Sequence, residues 1–277
     1  MKVLITGSEG MIGKELVELL IVEYNEFDIS YVDYKLGHDL RNFDICLALT
    51  KGIDIVFHLA GIKGNPRMTS EKPVDFMGPM LQFDTNMIIA SQINGVKKFL
   101  YTSSIAVENP KTDKFPAWAK QTAETLIEAM RIQHPKGTEY YIVRPANVYG
   151  RHDNFSKKEL MVISDLIRKG MTEDSIRLWD DGQSKRDFIN AKDVARGMIL
   201  AMKKMPKFPV NLCSGEGHKI KDIAKIVSNR FNIDLILGKP QKPNHRVMKP
   251  NWKEFKPKVK LHDGIKEVID WKLKNLL

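Results

Sequence analysis

The chain has 277 residues, of which 43% are hydrophobic and 28% are charged, and its formal net charge is +10. This composition is ordinary for a globular protein and excludes a chain that is disordered throughout. Two cysteines, Cys46 and Cys213, exclude a disulfide framework and a cysteine-rich zinc site. No run of roughly 18 apolar residues predicts a transmembrane helix, and the first apolar run ends at Gly7 as a strand does, so we expect a cytoplasmic protein.

Short apolar runs alternate with longer stretches of helical period in the first half of the chain. Strands are predicted over residues 3–5, 29–32, 53–59, 98–102 and 140–143. A helix is predicted over residues 11–24, because Ile12, Leu16, Leu19 and Leu20 fall on one face. Alternation of strands and helices implies right-handed crossovers and a parallel sheet. The expected fold class is therefore α/β, with a doubly wound parallel sheet.

The pattern changes after about Gly150, to lysine-rich helices, glycine-containing turns and a Pro/Lys-rich tail over residues 240–260. We predict a nucleotide-binding domain over residues 1–150 and a smaller C-terminal substrate lobe over residues 151–277. A segment near residues 186–214 is expected to return to the first domain. The two units should form a cleft above the carboxyl ends of the strands, where open α/β sheets bind ligands.

A glycine loop joins the first strand to the first helix, with the spacing Gly7-x-x-Gly10-x-x-Gly13. Glycine allows the positive φ, the close approach of backbone to a pyrophosphate and the tight helix packing that a dinucleotide site needs. About 20 residues later Asp33 ends the second strand, where a carboxylate accepts hydrogen bonds from the adenosine ribose. This context predicts a Rossmann-type dinucleotide-binding domain. The alternative is a turn with only a structural role.

Acidic residues near this loop favour NAD over NADP as the cofactor. A 2′-phosphate would meet both Asp33 and Glu9, and like charges in a confined site repel. Lys35 is a nearby cation that weakens this preference. The tripeptide Asp39-Leu40-Arg41 follows after a short link and is interpreted as a contact to the adenine. Asp39 is also interpreted as an acidic helix N-cap, which does not exclude the first role.

Further motifs follow in a fixed order along the chain: His58-Leu59-Ala60-Gly61, Thr102-Ser103-Ser104, Lys120 with Glu124, Arg144-Pro145-Ala146-Asn147-Val148-Tyr149-Gly150 and Arg186-Asp187-Phe188-Ile189. Together with the glycine loop they resemble the extended short-chain dehydrogenase/reductase family of the NAD-dependent epimerase/dehydratase type. The resemblance covers essentially the whole chain and implies an NAD-binding enzyme that modifies nucleotide-sugars. It implies contacts to NAD from Gly7, Gly10, Met11, Ile12, Gly13, Asp33, Asp39, Leu40, Leu59, Ala60, Gly61, Lys120 and Pro145.

Within that family the chain is most similar to the GDP-fucose synthase group, but the catalytic residues of that group are absent. The family uses Tyr-x-x-x-Lys, and here Lys120 is present while Pro116 stands where the tyrosine is expected. The group's cysteine and histidine correspond to Ile105 and Met161. None of these three side chains moves a proton at neutral pH.

Each of the three positions also has a purely structural interpretation. Pro116 suits the first position of a helix preceded by Thr112 or Asp113. Ile105 is expected to pack as a buried strand-end residue, and Met161 to lie among core-facing apolar residues. Ser104 and Lys120 are the residues assigned to catalysis, in contact with the nicotinamide ribose and the substrate.

Other groups near the expected cleft are alternative acids or bases. Tyr101, Tyr149, His152 and Asp153 are close to it in sequence, although tyrosines in such positions are commonly packing residues. His58 is interpreted as a hydrogen-bonded residue at a strand end. The histidines show no metal-ligand spacing, so no metal site is expected.

The substrate side is assigned to Arg186, Asn147 and Trp179. The family places an arginine at the position of Arg186 for the diphosphate, and a guanidinium fork suits paired phosphate oxygens; the alternative is a surface ion pair with Asp187 or Asp193. Asn147 is interpreted as a donor to a sugar or phosphate oxygen, or as the side chain of an Asx turn. Trp179 is interpreted as a stacking partner for the base or as an apolar residue of the lobe.

The function predicted is that of an NAD-dependent nucleotide-sugar epimerase or reductase with non-standard acid/base residues. The alternative is a protein that binds NAD and the sugar nucleotide with little or no turnover.

A homodimer is expected through the helix over residues 117–132, with Leu126, Ile127 and Met130, which are also candidates for the core. The charge of +10 is compatible with binding to nucleic acid, but the sequence has no recognition motif for it, so no nucleic-acid partner is expected. Much of the excess lies between Lys239 and Lys274 and is interpreted as a solvated face. No membrane partner is expected.

Overall fold

The computed structural model describes residues 1–64, 66–108, 114–155 and 160–275. Over these residues the helices are α1 Met11–Glu23, α2 Phe43–Thr50, α3 Pro66–Glu71, α4 Pro73–Ile93, α5 Lys114–Gln133, α6 Val162–Thr172, α7 Ala191–Lys204, α8 Ile220–Phe231 and α9 Leu261–Lys274. The strands are β1 Lys2–Thr6, β2 Asp28–Val32, β3 Ile55–His58, β4 Lys98–Thr102, β5 Glu139–Pro145, β6 Asn147–Tyr149, β7 Ser175–Arg177, β8 Lys185–Arg186, β9 Phe188–Asn190, β10 Val210–Leu212, β11 His218–Lys219 and β12 Asp234–Ile236. Short 3-10 turns span Tyr34–Leu36 and Ile105–Glu108.

Six strands form the central sheet in the order β10-β5-β4-β3-β1-β2, and every neighbouring pair is parallel. The chain winds outward from β1 to β2 and then crosses back over β1 to β3. The winding direction therefore reverses between β1 and β3, which is where such sheets bind ligands. The predicted doubly wound parallel sheet is confirmed.

The central strands are apolar on both faces because helices cover both sides of the sheet. Side chains alternate along β1, so Val3 and Ile5 enter the core that contains α1 and α7. Leu4, between them, enters the opposite core with α4 and α5. The same alternation explains why short continuous apolar runs in the sequence correspond to strands.

A third core lies among α6, α8 and α9, a group of elements that we call the C-terminal lobe. Ile167 of α6, Val227 of α8 and Ile265 of α9 are fully buried there. Smaller strand pairs complete the lobe and its junction with the main sheet: β7 with β12, β8 with β11, and β6 with β9.

Two segments in the second half of the chain pack against the main sheet. Strand β10 pairs with β5 at the sheet edge, and α7 packs with α1 in one core. In the lysine-rich stretch before α9, Met248, Trp252 and Phe255 are at most 8% exposed and enter that core. The lysines over residues 239–260 are exposed, as the interpretation of a solvated face expects, and the three apolar residues anchor the stretch to the core.

Element boundaries differ modestly from the predictions. The helix predicted over residues 117–132 begins three residues earlier, at Lys114, and the strand predicted over residues 53–59 is shorter, at Ile55–His58. Within the part of the chain that the structure describes, no helix is long and apolar enough to cross a membrane.

Candidate active site

The glycine loop lies at the sheet edge where β1 and β3 end. Gly7 has a φ of +69°, and a Cβ there would lie 2.8 Å from the carbonyl group of Leu59. A Cβ on Gly13 would overlap the Gly7 carbonyl oxygen and lie 2.8 Å from Ser8 Cα. Gly10 is the N-cap of α1 and makes no side-chain cap. The loop thus leaves the first N–H groups of α1 without a capping side chain and brings bare backbone to the sheet edge, which fits a pyrophosphate.

Asp33 directly follows β2 and is held beside this loop. Its carboxylate accepts hydrogen bonds from the backbone N–H groups of Glu9, at 3.1 Å, and Lys35, at 2.9 Å. The Glu9 carboxylate lies 3.1 Å from Lys14 Nζ, so its charge is partly offset. Repulsion of a 2′-phosphate would therefore depend chiefly on Asp33.

The tripeptide Asp39-Leu40-Arg41 forms a compact turn before α2. The Asp39 carboxylate accepts from Arg41 Nε at 2.8 Å and Nη2 at 2.6 Å, and this side-chain pairing lowers the pKa of Asp39. Leu40 is buried in the core. The N-cap of α2 is Asn42, whose side chain accepts from the first turn. The interpretation of Asp39 as a helix N-cap is therefore wrong, and its contact to adenine stays a prediction.

The other residues implied as NAD contacts lie along the same edge. Met11 and Ile12 open α1, and Leu59, Ala60 and Gly61 follow β3 directly. Pro145 ends β5, and Ala146 after it is bonded to β10. Their roles toward the cofactor stay predictions.

Ser104 follows β4, and Lys120 belongs to α5, which packs on the face of the sheet opposite to α1. Ser104 lies just beyond β4, and its Oγ accepts from the backbone N–H of Ala106 at 3.1 Å. Lys120, on α5, is only 8% exposed, and its Nζ lies 3.4 Å from Asp84 Oδ2 and 4.6 Å from the centre of the Tyr101 ring. Lys120 therefore faces a buried carboxylate.

A cleft of about 570 Å³ opens between the strand ends and the C-terminal lobe. On the sheet side its lining includes Ser104, Glu108 and Pro116, and on the lobe side it includes Asn147 and Arg186. The structure thus brings together three predicted site residues, Ser104, Asn147 and Arg186. Lys120 lies behind the lining, one helical turn from Pro116.

Arg186 is directed by the backbone around it. Its Nη1 donates to the carbonyl oxygen of Lys185 at 2.9 Å and to that of Asn244. Asp187 bonds to the loop after β10, and Asp193 bonds to α7 and to the segment before α9. Both carboxylates thus have partners elsewhere in the fold, and the alternative of an ion pair between Arg186 and either of them stays a prediction.

The two other residues assigned to the substrate differ in placement. Asn147 lines the cleft, and its Nδ2 donates to the Asp187 carbonyl oxygen at 2.7 Å, which helps to join β6 and β9. Trp179 is 89% exposed and is not among the described residues that line the cleft. This position gives no support to a role in stacking on the base.

Both alternative tyrosines have their hydroxyl groups buried. The Tyr101 hydroxyl donates to Asp84 Oδ2 at 2.6 Å. Tyr149 is 2% exposed, its hydroxyl lies against Gly264 of α9, and burial raises its pKa. Tyr149 is among the residues that line the cleft, but both hydroxyl groups are buried.

The alternatives after β6 are held by charged partners. His152 Nε2 lies 3.0 Å from Glu18 of α1. Asp153 lines the cleft and pairs with Lys63. Of the two, only Asp153 reaches the cleft.

A family model described as the NAD dependent epimerase/dehydratase family matches residues 3–213. The chain belongs to this family. The match runs from β1 through β10, so it contains the whole six-stranded sheet. Membership confirms the predicted NAD cofactor and the resemblance to extended short-chain dehydrogenases/reductases.

Related proteins of this epimerase/dehydratase family match over nearly their full length. GDP-L-fucose synthase 1 of Arabidopsis thaliana is 26% identical, covering 99% of this chain and 94% of the relative. A UDP-glucose 4-epimerase from Thermotoga maritima with UDP-glucose has a TM-score of 0.87 at 22% identity, covering 100% of both chains. A GDP-L-fucose synthetase from Naegleria fowleri bound to NADP has a TM-score of 0.81 at 21% identity, covering 99% of this chain and 93% of the other. Nucleotide-sugar epimerases and reductases are thus the relatives of this chain.

This member of the family departs from the expected catalytic pattern inside the cleft itself. Pro116, Ile105 and Met161 all line it. Ile105 opens a 3-10 turn, is partly buried and packs against the core that contains α1 and α7, as its structural interpretation expects in part. Met161 is the N-cap of α6 and is also partly buried. Pro116 is the third residue of α5 and not the first, and Thr112 and Asp113 lie outside the described residues. All three replacements therefore bear on the space that a substrate would occupy.

Sequence reasoning missed Asp84 and several residues of the cleft. Asp84 lies on the apolar face of α4 with Met80, Phe83 and Met87, and an acid at that spacing is the signal that could have revealed it. Glu108 and the segment 244–247 also line the cleft. No local sequence pattern points to that segment as part of a site, because the tertiary fold brings Arg246 into strand-like pairing with Arg186.

The prediction for His58 is confirmed by its surroundings. It is fully buried, with Nε2 2.9 Å from Asp84 and Nδ1 2.7 Å from the Thr6 hydroxyl. Residues 1–64, 66–108, 114–155 and 160–275 contain no group of three His, Cys, Asp or Glu side chains placed to hold a metal ion.

Proposed function

We propose that the chain is an NAD-dependent nucleotide-sugar epimerase or reductase whose proton step uses a group other than the family's tyrosine. The observation that supports this is one continuous cleft that joins Ser104, beside the strand ends, to Arg186 at the lobe. Ser104 supplies a hydrogen bond to a sugar oxygen, and Arg186 supplies a guanidinium to the diphosphate. NAD, held by the glycine loop and Asp33, supplies hydride chemistry when bound.

We assign the missing proton-transfer role to Glu108. It ends the 3-10 turn that starts beside Ser104, it lines the cleft, and its Oε1 accepts from Asn211 Nδ2 at 2.9 Å. A carboxyl group within reach of a sugar hydroxyl or ketone can accept or donate a proton. Asp153, the other described carboxyl group in the lining, is already paired with Lys63.

NAD is the proposed partner in preference to NADP. Asp33 is oriented by two backbone N–H groups beside the glycine loop, so its charge is held where a 2′-phosphate would lie. Lys35 donates its backbone N–H to Asp33, so this residue helps to orient the carboxylate.

A homodimer through α5 is part of the proposal. Trp118 is 50% exposed and Ile132 is 77% exposed on this helix, whereas Ile127 is fully buried in the core. Leu126 and Met130 also pack against that core. A dimer would therefore use Trp118 and Ile132 in place of the residues named from the sequence, and light scattering after size-exclusion chromatography measures the mass in solution.

A second candidate function is a protein that binds NAD and a sugar nucleotide with little turnover. The observation that favours it is the apolar set Pro116, Ile105 and Met161 in the cleft, where the related group has proton-transfer residues.

One experiment distinguishes the two functions. The purified protein is analysed by mass spectrometry for a retained dinucleotide and sugar nucleotide, then incubated with NAD and a panel of GDP-, UDP- and dTDP-sugars followed by NMR. An enzyme changes the stereochemistry or oxidation state of a sugar, and Lys120→Ala abolishes that turnover. Binding without turnover across the panel supports the second function, and no binding of either ligand refutes both.

A further inference from the structure

A buried hydrogen-bonded cluster lies directly behind the cleft, and Asp84 of α4 is its centre. Asp84 is 1% exposed. Its Oδ2 accepts from the Tyr101 hydroxyl at 2.6 Å and lies 3.4 Å from Lys120 Nζ. Its Oδ1 lies 2.9 Å from His58 Nε2. Side chains from β3, β4 and α5 thus converge on one carboxylate.

The protonation of His58 follows from its second contact. The Thr6 hydroxyl oxygen accepts from the N–H groups of Leu59 and Ala60, both at 3.2 Å, and lies 2.7 Å from His58 Nδ1. Because its oxygen already accepts two hydrogen bonds, Thr6 donates its own proton to Nδ1. The neutral ring then carries its proton on Nε2 and donates it to Asp84. Burial lowers the pKa of His58, which keeps the ring neutral.

The cluster therefore contains one positive and one negative group. Burial opposes the charged form of Asp84, but the charge of Lys120 and the hydrogen bonds from His58 and Tyr101 hold its pKa below the usual value. Burial raises the pKa of Tyr101, so its hydroxyl stays neutral. The ammonium of Lys120 and the carboxylate of Asp84 offset each other.

This arrangement matters because of what stands one turn before Lys120. A lysine charge near a phenol favours the phenolate. The resemblance implies that the family lysine acts in this way on the tyrosine one helical turn before it. Here the neighbouring residue is Pro116 and the lysine charge is already offset. We propose that Asp84 is a positioning residue that fixes the Lys120 ammonium and offsets its charge, so that Lys120 acts as a fixed hydrogen-bond donor and not as an activator of a phenol. The inference rests on the proposed function only in assigning Lys120 to the nicotinamide ribose.

The electrostatic part of this inference can be measured by placing a phenol at the position of the proline. In Pro116→Tyr the Cβ atoms of the new tyrosine and of Lys120 lie about 5–6 Å apart, at the i, i+4 spacing of a helix. Since Asp84 and Lys120 are in contact, their opposite effects on the phenol largely cancel. The phenol should therefore titrate at or above the ordinary pKa of about 10. In the double variant P116Y/D84N the lysine charge is uncompensated, and the phenol pKa should fall by about 1 unit or more.

The assay is NMR of protein labelled with ¹³C at the tyrosine ring, titrated with pH, with the new resonance assigned by comparison with the unmodified chain. Other charged or titratable groups of the cleft are present in both backgrounds and cancel in the comparison: Glu108, Asp153, His245, Arg186 and Arg246. Phe115→Tyr provides the matched control, because Phe115 is in the same helical turn and 37% exposed. Its phenol should titrate at the same pH with and without D84N.

Two results would overturn the inference: a P116Y phenol with a pKa below the ordinary value of about 10 while Asp84 is present, or equal phenol pKa values in P116Y and P116Y/D84N. If D84N does not fold, P116Y alone still decides, since the inference requires its phenol to titrate at the ordinary pKa or higher. The titration needs no substrate. A sugar panel without turnover would thus refute the proposed enzyme and leave this inference standing, whereas an activated P116Y phenol would refute the inference alone.

Discussion

The packing of Gly13 against the glycine loop is a quantitative test of how the sheet edge is built. In Gly13→Ala the added Cβ overlaps the Gly7 carbonyl oxygen and lies 2.8 Å from Ser8 Cα. Both obstructing atoms belong to backbone, so no side-chain rotation relieves the contact. Either α1 moves away from β1, or the loop moves into the space that the pyrophosphate needs.

The magnitude follows from two opposing effects. Alanine in place of glycine within a helix gains about 1 kcal/mol of helix propensity. Overpacking typically costs about 1–3 kcal/mol, and the upper end applies where the contacts are with backbone. We expect the free energy of unfolding to fall by about 2 kcal/mol, which lowers the melting temperature by roughly 4–8 °C. We expect the dissociation constant for NAD to rise at least about tenfold, equivalent to about 1.4 kcal/mol.

Urea unfolding followed by circular dichroism and NAD titration followed by calorimetry measure the two effects separately. Val22→Ala is the control for α1, because Val22 is 81% exposed and its truncation removes no packing. This control should keep the stability and NAD affinity of the unmodified chain. A G13A variant that matches the unmodified chain in both measurements would refute the account of the loop.

Three further substitutions test the cleft. Glu108→Gln should lower kcat at least about tenfold with little change in KM, since a positioned acid or base typically contributes about 10²–10⁴-fold to the rate. An unchanged kcat would exclude Glu108 from the proton step. Asp33→Asn should raise the ratio of NADP to NAD affinity about tenfold by removing like-charge repulsion, measured by fluorescence titration, and an unchanged ratio would contradict the proposed preference for NAD. Arg186→Met should weaken binding of a nucleoside-diphosphate sugar at least about tenfold, measured by calorimetry. Arg177→Met, at an exposed position of β7, should leave the affinity unchanged, and equal effects of the two substitutions would argue against a specific diphosphate contact.

Local sequence patterns were sufficient for the sheet and for the loop. Gly7, Gly10 and Gly13 are required by backbone geometry within a single strand–turn–helix unit. Asp33 lies directly after β2, at a position that strand length determines. These features depend on neighbours in sequence, so the pattern alone predicted them.

Interpretations of residues that bond across the fold were less successful. Asp39 was expected to cap α2, but Asn42 is closer to the helix start and takes that position. Trp179 was interpreted as a stacking partner for the base or as an apolar residue of the lobe, and its 89% exposure was not evident from the sequence. Ile105 and Met161 were interpreted as packing residues because apolar residues usually are buried. Both are only partly buried and line the cleft, while Ile105 also packs against the core.

The sequence by itself determined the composition class, the alternating α/β plan and the dinucleotide loop, because each depends on periodicity or on contacts within a few residues. Only the tertiary structure decided what Lys120 faces: Asp84 is 36 positions away on another helix, and His58 reaches the same carboxylate from β3. Only the fold brought Arg246, from the lysine-rich stretch, beside Arg186 in the cleft. Charge compensation and cleft lining depend on distances between separate elements, and the packing of helices on the sheet sets those distances.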